Sequence, residues 1–299
     1  MDIKRAIVDL APAPIVRFFA APYIAGRGIE SGVRKADELW NTSKLYATVD
    51  LLGEEVFERE DVEATVALYC RMVDQLSGRS YTSISLKPTQ FGIHESEACC
   101  LENLRKVIGY AASHQIPVTV DMEDHDFTDV ALRPVKAARD EFETVGAVLQ
   151  ARLYRTKDDI LALHTKPCRV RICIGIYKEP KAIAYTDKRA MKEKLFEYVQ
   201  LLLDKGHFPE IATHDEPLIH RCLEYLDKRG CPKNAYEFQM LLGVPRHDIQ
   251  TQIVNDGRVM RLYVPFAEDW KFAIAYCRRR MAANPMMGAY VMKNLFGRS

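Results

Sequence analysis

The 299-residue sequence has no glycine-rich dinucleotide turn, no P-loop, no serine nucleophile elbow and no H-E-x-x-H. Those absences remove the usual signatures of an open nucleotide-binding sheet, an α/β-hydrolase and a zinc protease. Long apolar runs are missing too: the longest are strand-length, far short of a membrane span. Net charge is nearly absent, at +1 from 42 basic and 41 acidic residues, so nucleic-acid binding has no electrostatic support. The eight cysteines form no C-x-x-C pair and no grouping with zinc spacing, and no carboxylate-rich metal site stands out, so no metal is expected. Reduced thiols in a cytoplasmic setting fit this pattern. Lys4 and Arg5 are followed by Asp9, Pro12 and Pro14, which does not make a convincing signal peptide.

What is present is a regular alternation. After a short arm and one helix over residues 1–42, eight strand-like runs recur at intervals of roughly thirty residues, the span of one strand–helix unit. They are Leu45 to Leu51, Tyr81 to Leu86, Val118 to Met122, Val145 to Leu149, Val170 to Ile176, Glu210 to Thr213, Ala235 to Leu241 and Met260 to Val264. Helical patterns fill the gaps, as in Lys188 to Leu203 and Trp270 to Ala283. Apolar strands alternating with amphipathic helices imply parallel pairing, and eight units are the number that closes a barrel. The expectation is an α/β fold: a (β/α)8 TIM-like barrel over 43–299, preceded by an N-terminal helical arm.

Barrel chemistry sits at the C-terminal ends of the strands. Polar residues cluster there: Asp50, Lys87, Asp121, Gln150, Arg152, Tyr177, His214 and Asp215 at strand ends, with Arg171, Glu237, Gln239 and Tyr263 within strands. Singly, each has an ordinary explanation, such as a solvated lysine, a helix-capping aspartate or a structural ion pair. Their coincidence on one rim points to a small-molecule site, because each buried polar group must find a partner. The last helix adds Tyr276-Cys277-Arg278-Arg279-Arg280. Adjacent arginines project about 100° apart and guanidinium groups bind carboxylates, although a solvated basic face fits the run equally well. A zwitterionic ligand held by arginines and walled by tyrosines is suggested. No side chain accepts a hydride, so an oxidation needs a cofactor.

Ordered segments carry a resemblance. They are Val49-Asp50-Leu51-Leu52-Gly53-Glu54, Ile84 to Gly92 (ISLKPTQFG), Val120-Asp121-Met122-Glu123, Val148-Leu149-Gln150-Ala151, Arg171 through Gly175 to Tyr177, and Ala212-Thr213-His214. Tyr236 to Leu241, Arg261 to Pro265 and Tyr276-x-x-Arg279-Arg280 complete the series, which runs from Tyr23 to Pro285. Together they resemble the proline dehydrogenase family.

The resemblance implies that the barrel is distorted with a final helix covering its C-terminal mouth, that FAD binds noncovalently at that mouth, and that L-proline is oxidised to 1-pyrroline-5-carboxylate by hydride transfer. It assigns Lys87, Arg279 and Arg280 to the substrate carboxylate, and Tyr177, Tyr263 and Tyr276 to the ring. Asp121 pairs with the lysine. Gln150, Arg171, Gly175, Thr213, His214 and Glu237 fall near the flavin or the rest of FAD. It further implies a quinone acceptor and peripheral contact with the inner face of a membrane. The arm's Ile15, Val16, Phe18 and Phe19 are expected to pack on the barrel. Ile174, Arg152, Asp215 and Leu242 depart from the family's common residues. Three alternatives carry different chemistry: a flavin barrel oxidising hydroxyproline or another cyclic amino acid, a non-catalytic amino-acid-binding barrel, and a lyase using Lys87 as a Schiff base.

Overall fold

Period-two alternation in the strands produces the architecture. The structure, a computed structural model, describes residue 18 and residues 21–53, 56–163, 166–177 and 179–283, without the side chains of 279 and 281–283. Eight parallel strands close a barrel in chain order: β1 (Tyr46–Leu52), β2 (Thr82–Leu86), β3 (Val118–Val120), β4 (Val145–Gln150), β5 (Arg169–Cys173), β6 (Phe208–Ala212), β7 (Glu237–Leu241) and β8 (Val259–Ala267). Closure comes from β8 lying along the whole of β1, from Tyr46 opposite Arg261 to Leu52 opposite Ala267.

Around the barrel run α1 (Ile29–Ser43), α2 (Arg59–Leu76), α3 (Glu97–Ser113), α4 (Thr128–Ala138), α5 (Thr156–Leu161), α6 (Lys188–Asp204), α7 (Glu216–Lys228), α8 (His247–Asn255) and α9 (Trp270–Ala283). Side-chain caps start several of them: Ser96 accepts from Cys99 N–H, Asp187 from Ala190 N–H and Asp215 from Leu218 N–H. The apolar half of each strand, including Val49, Ile84, Val120, Ile172, Phe238 and Leu262, joins the core beneath these helices.

Two helices set the barrel's distortion. α1 packs across β1 and β8: a Cβ at Gly32 would stand 2.9 Å from Val49 and 3.1 Å from Phe266. It therefore fills the outer groove that the helix after β8 takes in a regular barrel. That last helix, α9, lies instead over the ends of β1 and β8, with Ala273, Tyr276 and Cys277 buried against Tyr23, Ile24, Leu52 and Ala267. The arm before residue 18 lies outside the described residues, as do Ile15, Val16 and Phe19. Phe18 is 53% exposed, which gives no support to its packing on the barrel.

The fifth apolar run stops earlier than its sequence suggests. β5 ends at Cys173, because Gly175 turns the chain out of the sheet at φ +98. Eight-stranded barrels are ordinarily filled by branched aliphatic side chains. This one holds charge: Lys87, Arg169, Arg171 and Arg261 face Asp50, Asp121, Glu210 and Glu237, each cation within 4 Å of at least one of these carboxylates. Ion pairs of this kind gain little over apolar packing, since desolvation offsets the attraction. Their presence calls for a reason other than stability.

Candidate active site

Six strands, β1, β2, β3, β5, β7 and β8, supply the upper layer of the lumen. Lys87, just past β2, donates to Asp50 on β1, lies 3.1 Å from the Tyr263 hydroxyl and stands 3.4 Å from Asp121. The Tyr263 hydroxyl donates to the same carboxylate oxygen that Lys87 approaches, Asp121 Oδ2, at 2.6 Å. Arg171 reaches Asp121 Oδ1 at 2.6 Å, Gln239 Oε1 at 2.6 Å and Ser85 Oγ at 3.3 Å. Asp121 thus collects a lysine, an arginine and a phenol.

The protonation states follow from these contacts. Burial opposes the charge on Asp121, but Arg171 and Lys87 more than offset it and hold the carboxyl below its ordinary range. Burial likewise opposes charge on Lys87, and Asp50, Tyr263 and Asp121 together raise it well above the usual amine value. A Schiff base requires a neutral amine. The lyase alternative is therefore disfavoured: Lys87 is a fixed ammonium. Burial, Asp121 and Asp50 keep Tyr263 a phenol.

The lid completes the mouth. Tyr276 on α9 is buried, and Arg280, one turn on, lies with its guanidinium carbon 5.1 Å from the Tyr276 ring. Arg280 interacts electrostatically with Tyr276, Tyr263 and Tyr177, and no carboxylate among the described residues pairs with it. Arg279 belongs to the same helix, but its side chain lies outside the described residues.

On the β4–β7 side, Gln150 donates from Nε2 to Glu123 O at 2.9 Å, while its Oε1 is buried with no partner. A Cβ on Gly175 would stand 2.1 Å from that oxygen, so only glycine leaves the amide where it is. His214 Nε2 accepts the Leu241 N–H at 2.9 Å, which leaves the ring proton on Nδ1. Burial, then Arg280 and Arg246, push the His214 pKa down to about 3. Thr213 donates its N–H to Gln239 O at 3.2 Å and accepts the Asp215 N–H at 3.2 Å.

The neutral histidine carries a testable acid sensitivity. Its ordinary value is 6.5 and its folded value about 3, so between them the unfolded chain binds a proton that the folded chain refuses. Stability is complete above 6.5 and falls as pH drops through that window. Between pH 7 and pH 5 the wild type should lose about 2 kcal/mol more than His214→Gln, read from urea midpoints. Equal losses in the two proteins would show that this ring is not held neutral.

One expected site residue belongs elsewhere. Glu237 sits at the start of β7, 1% exposed, with its oxygens taken by Arg261 at 2.7 Å, Arg169 at 2.8 Å and Gln239 at 2.6 Å. It is a floor residue of the lumen rather than a cofactor contact at the mouth. Conversely, Asp50 and Gln239 stand out in the sequence only as polar residues in strands. Here Asp50 is the nearest carboxylate to Lys87, and Gln239 links Arg171 to Glu210 and Glu237. The signal for both is their place in the alternation: each is a polar residue between two apolar ones.

A parallel barrel with a charged lumen, a cationic lid and an unpartnered acceptor at its C-terminal mouth has the build of a β/α-barrel enzyme. The family model described as proline dehydrogenase matches residues 33–177 and 178–289. Proline dehydrogenase 1 of Bacillus subtilis strain 168 is 32% identical over 293 residues, covering 98% of this chain and 95% of that protein. Proline dehydrogenase of Deinococcus radiodurans is 31% identical over 306 residues, covering 98% and 97%. Among solved structures, proline utilization A of Bdellovibrio bacteriovorus, inactivated by N-propargylglycine, superposes with a TM-score of 0.80 at 23% identity over 93% of this chain. The chain spans 34% of that longer protein, so the likeness speaks for the fold alone. The chain belongs to the proline dehydrogenase family, whose members are flavin-dependent oxidoreductases.

Proposed function

We propose that this chain oxidises L-proline to 1-pyrroline-5-carboxylate, with FAD bound at the C-terminal mouth of the barrel. The observation that carries the reading is Arg280: a cation over the Tyr276 ring, acted on by Tyr263 and Tyr177, with no carboxylate partner among the described residues. A substrate carboxylate supplies the missing charge, and tyrosine faces suit a saturated five-membered ring.

In this reading Lys87, Arg279 and Arg280 hold the carboxylate. Tyr177, Tyr263 and Tyr276 wall the ring and exclude water. Asp121 fixes Lys87, Tyr263 and Arg171 in one geometry, and Asp50 shares the lysine. Gln150, Arg171, Gly175, Thr213 and His214 form the cofactor side. The donor set fits a flavin: the unpartnered Gln150 Oε1 suits an imide N–H, the His214 Nδ1–H can donate, and Arg171 offers positive charge. When bound, the flavin supplies the hydride acceptor that no side chain provides. The substrate ammonium must lose a proton before or during departure of the hydride from carbon, and solvent is the proposed acceptor of that proton. The protein contributes placement and preorganised charge.

The proposed oxidant of the reduced enzyme is a quinone. The associated proposal is a cytoplasmic enzyme with peripheral contact at a membrane's inner face; no described helix is long and apolar enough to cross one. The proposed division is an arm and first helix over 1–42 and a catalytic barrel over 43–299.

A visible spectrum taken before and after anaerobic addition of L-proline tests the reading. Yellow protein should bleach. Colourless protein that refuses added FAD would end it in favour of a non-catalytic binding barrel, and a flavin that bleaches only with another cyclic amino acid would redirect the substrate.

A further inference from the structure

Arg152 begins the loop after β4, and the roles above leave it without a task. Its backbone ties β4 to the tail of β5: its N–H donates to Ile174 O at 3.3 Å, and its carbonyl accepts the Tyr185 N–H at 2.8 Å. The side chain enters the mouth beside Gln150, with Cδ 3.1 Å from the place a Cβ on Gly175 would take. One terminal nitrogen donates to the Tyr177 carbonyl. The other meets only the Met191 thioether, at 3.5 Å. Nε is buried and has no acceptor.

This is a poor use of a guanidinium unless something else binds it. A thioether is a weak acceptor, whereas the guanidinium offers five donors in a rigid fork. The lumen arginines Arg169, Arg171 and Arg261 each hold a carboxylate; Arg152 has none among the described residues. Arg139 also lacks one, but both its terminal nitrogens end on backbone carbonyls, Glu143 O and Pro167 O, which is a structural bond set. Arg152 instead keeps a charge and donors in reserve on the cofactor side of the mouth. The substrate's own carboxylate is already placed at the opposite group, Lys87 and Arg280. On the cofactor side, the isoalloxazine, ribityl and adenosine parts of FAD are neutral, and its anionic part is the diphosphate. Guanidinium groups are matched to phosphate oxygens in geometry and charge.

We propose that Arg152 binds the diphosphate of the flavin dinucleotide. The proposal rests on the flavin reading given above. Its test is equilibrium binding to the apoprotein, followed by flavin fluorescence, with FAD and riboflavin as paired probes. Arg152→Gln should weaken FAD by about tenfold or more while riboflavin binding stays within about twofold, the loss expected for one hydrogen bond to a charged group. Arg152→Lys, which keeps the charge, should recover part of the FAD affinity. FAD affinity unchanged in Arg152→Gln overturns the proposal. Equal loss for both probes also overturns it, and assigns Arg152 to holding the Tyr177 carbonyl. Wild-type protein that takes up neither probe fails at the earlier step, the flavin assignment itself. Circular dichroism and the urea midpoint establish that each variant is folded.

Discussion

Arg280→Met is expected to raise the KM for L-proline by about 10²-fold or more while the purified protein remains yellow. Losing one partner of a buried charged pair costs ~2–5 kcal/mol, and each ~1.4 kcal/mol is a factor of ten. No carboxylate among the described residues pairs with Arg280, so its substitution strands none of them, and the loss falls on the ligand. The readouts separate two roles. A raised KM with retained flavin marks a substrate contact, and flavin lost in proportion to activity marks a cofactor contact. Unchanged kinetics would remove the carboxylate role and, with it, the support for proline over a neutral ligand.

Asp121→Ala should be the most destabilising single change in the lumen. The wild-type carboxylate answers Arg171 at 2.6 Å, the Tyr263 hydroxyl at 2.6 Å and Lys87 at 3.4 Å. Its removal leaves Lys87 with Asp50 alone, and Arg171 with no carboxylate nearer than Glu210 at 3.8 Å. Breaking such a pair from one side typically costs ~3–5 kcal/mol, because a charge remains desolvated and unanswered. The urea midpoint should fall accordingly with the slope unchanged. Asp121→Asn keeps the shape and some hydrogen bonds and should lose less stability, so it remains measurable if the alanine variant does not fold. Both should lose activity, since Lys87, Tyr263 and Arg171 share this one anchor. A loss below about 1 kcal/mol in both variants would show that water reaches the freed charges, and that the lumen is not the closed network described.

The lumen network also explains why buried charge is kept where aliphatic packing would serve stability as well. A site that must hold a carboxylate and a redox cofactor benefits from groups fixed before the ligand arrives. Asp50, Asp121 and Gln239 do not need to touch substrate to matter. They set where Lys87, Tyr263 and Arg171 can be.

How far this was legible from the sequence varies by residue. The run Val118-Thr119-Val120-Asp121 already reads as a strand with one polar face, and Phe238-Gln239-Met240 does the same. Repeated eight times with helices between, that pattern specifies the barrel and the rim on which Lys87, Asp121, Tyr263 and Arg280 fall. The end of β5 was less legible: Val170 to Ile176 is continuously apolar apart from Arg171, Cys173 and Gly175, and only the positive φ of Gly175 shows where the sheet is left. Glu237 was misplaced by the same limit. Alternation says that it points inward, but not at what depth.

The sequence by itself therefore determined the architecture and most of the charged set, though not Arg169 and Glu210, because side-chain alternation along a strand is a local property with a period of two. Tertiary structure decided the pairings: Lys87 with Asp50 as well as Asp121, Glu237 with Arg261 and Arg169 on the floor, and α1 in the wall while α9 covers the mouth. Those contacts join strands distant in the chain, and in a closed barrel their height and partner are set by stagger between strands, which no local pattern encodes.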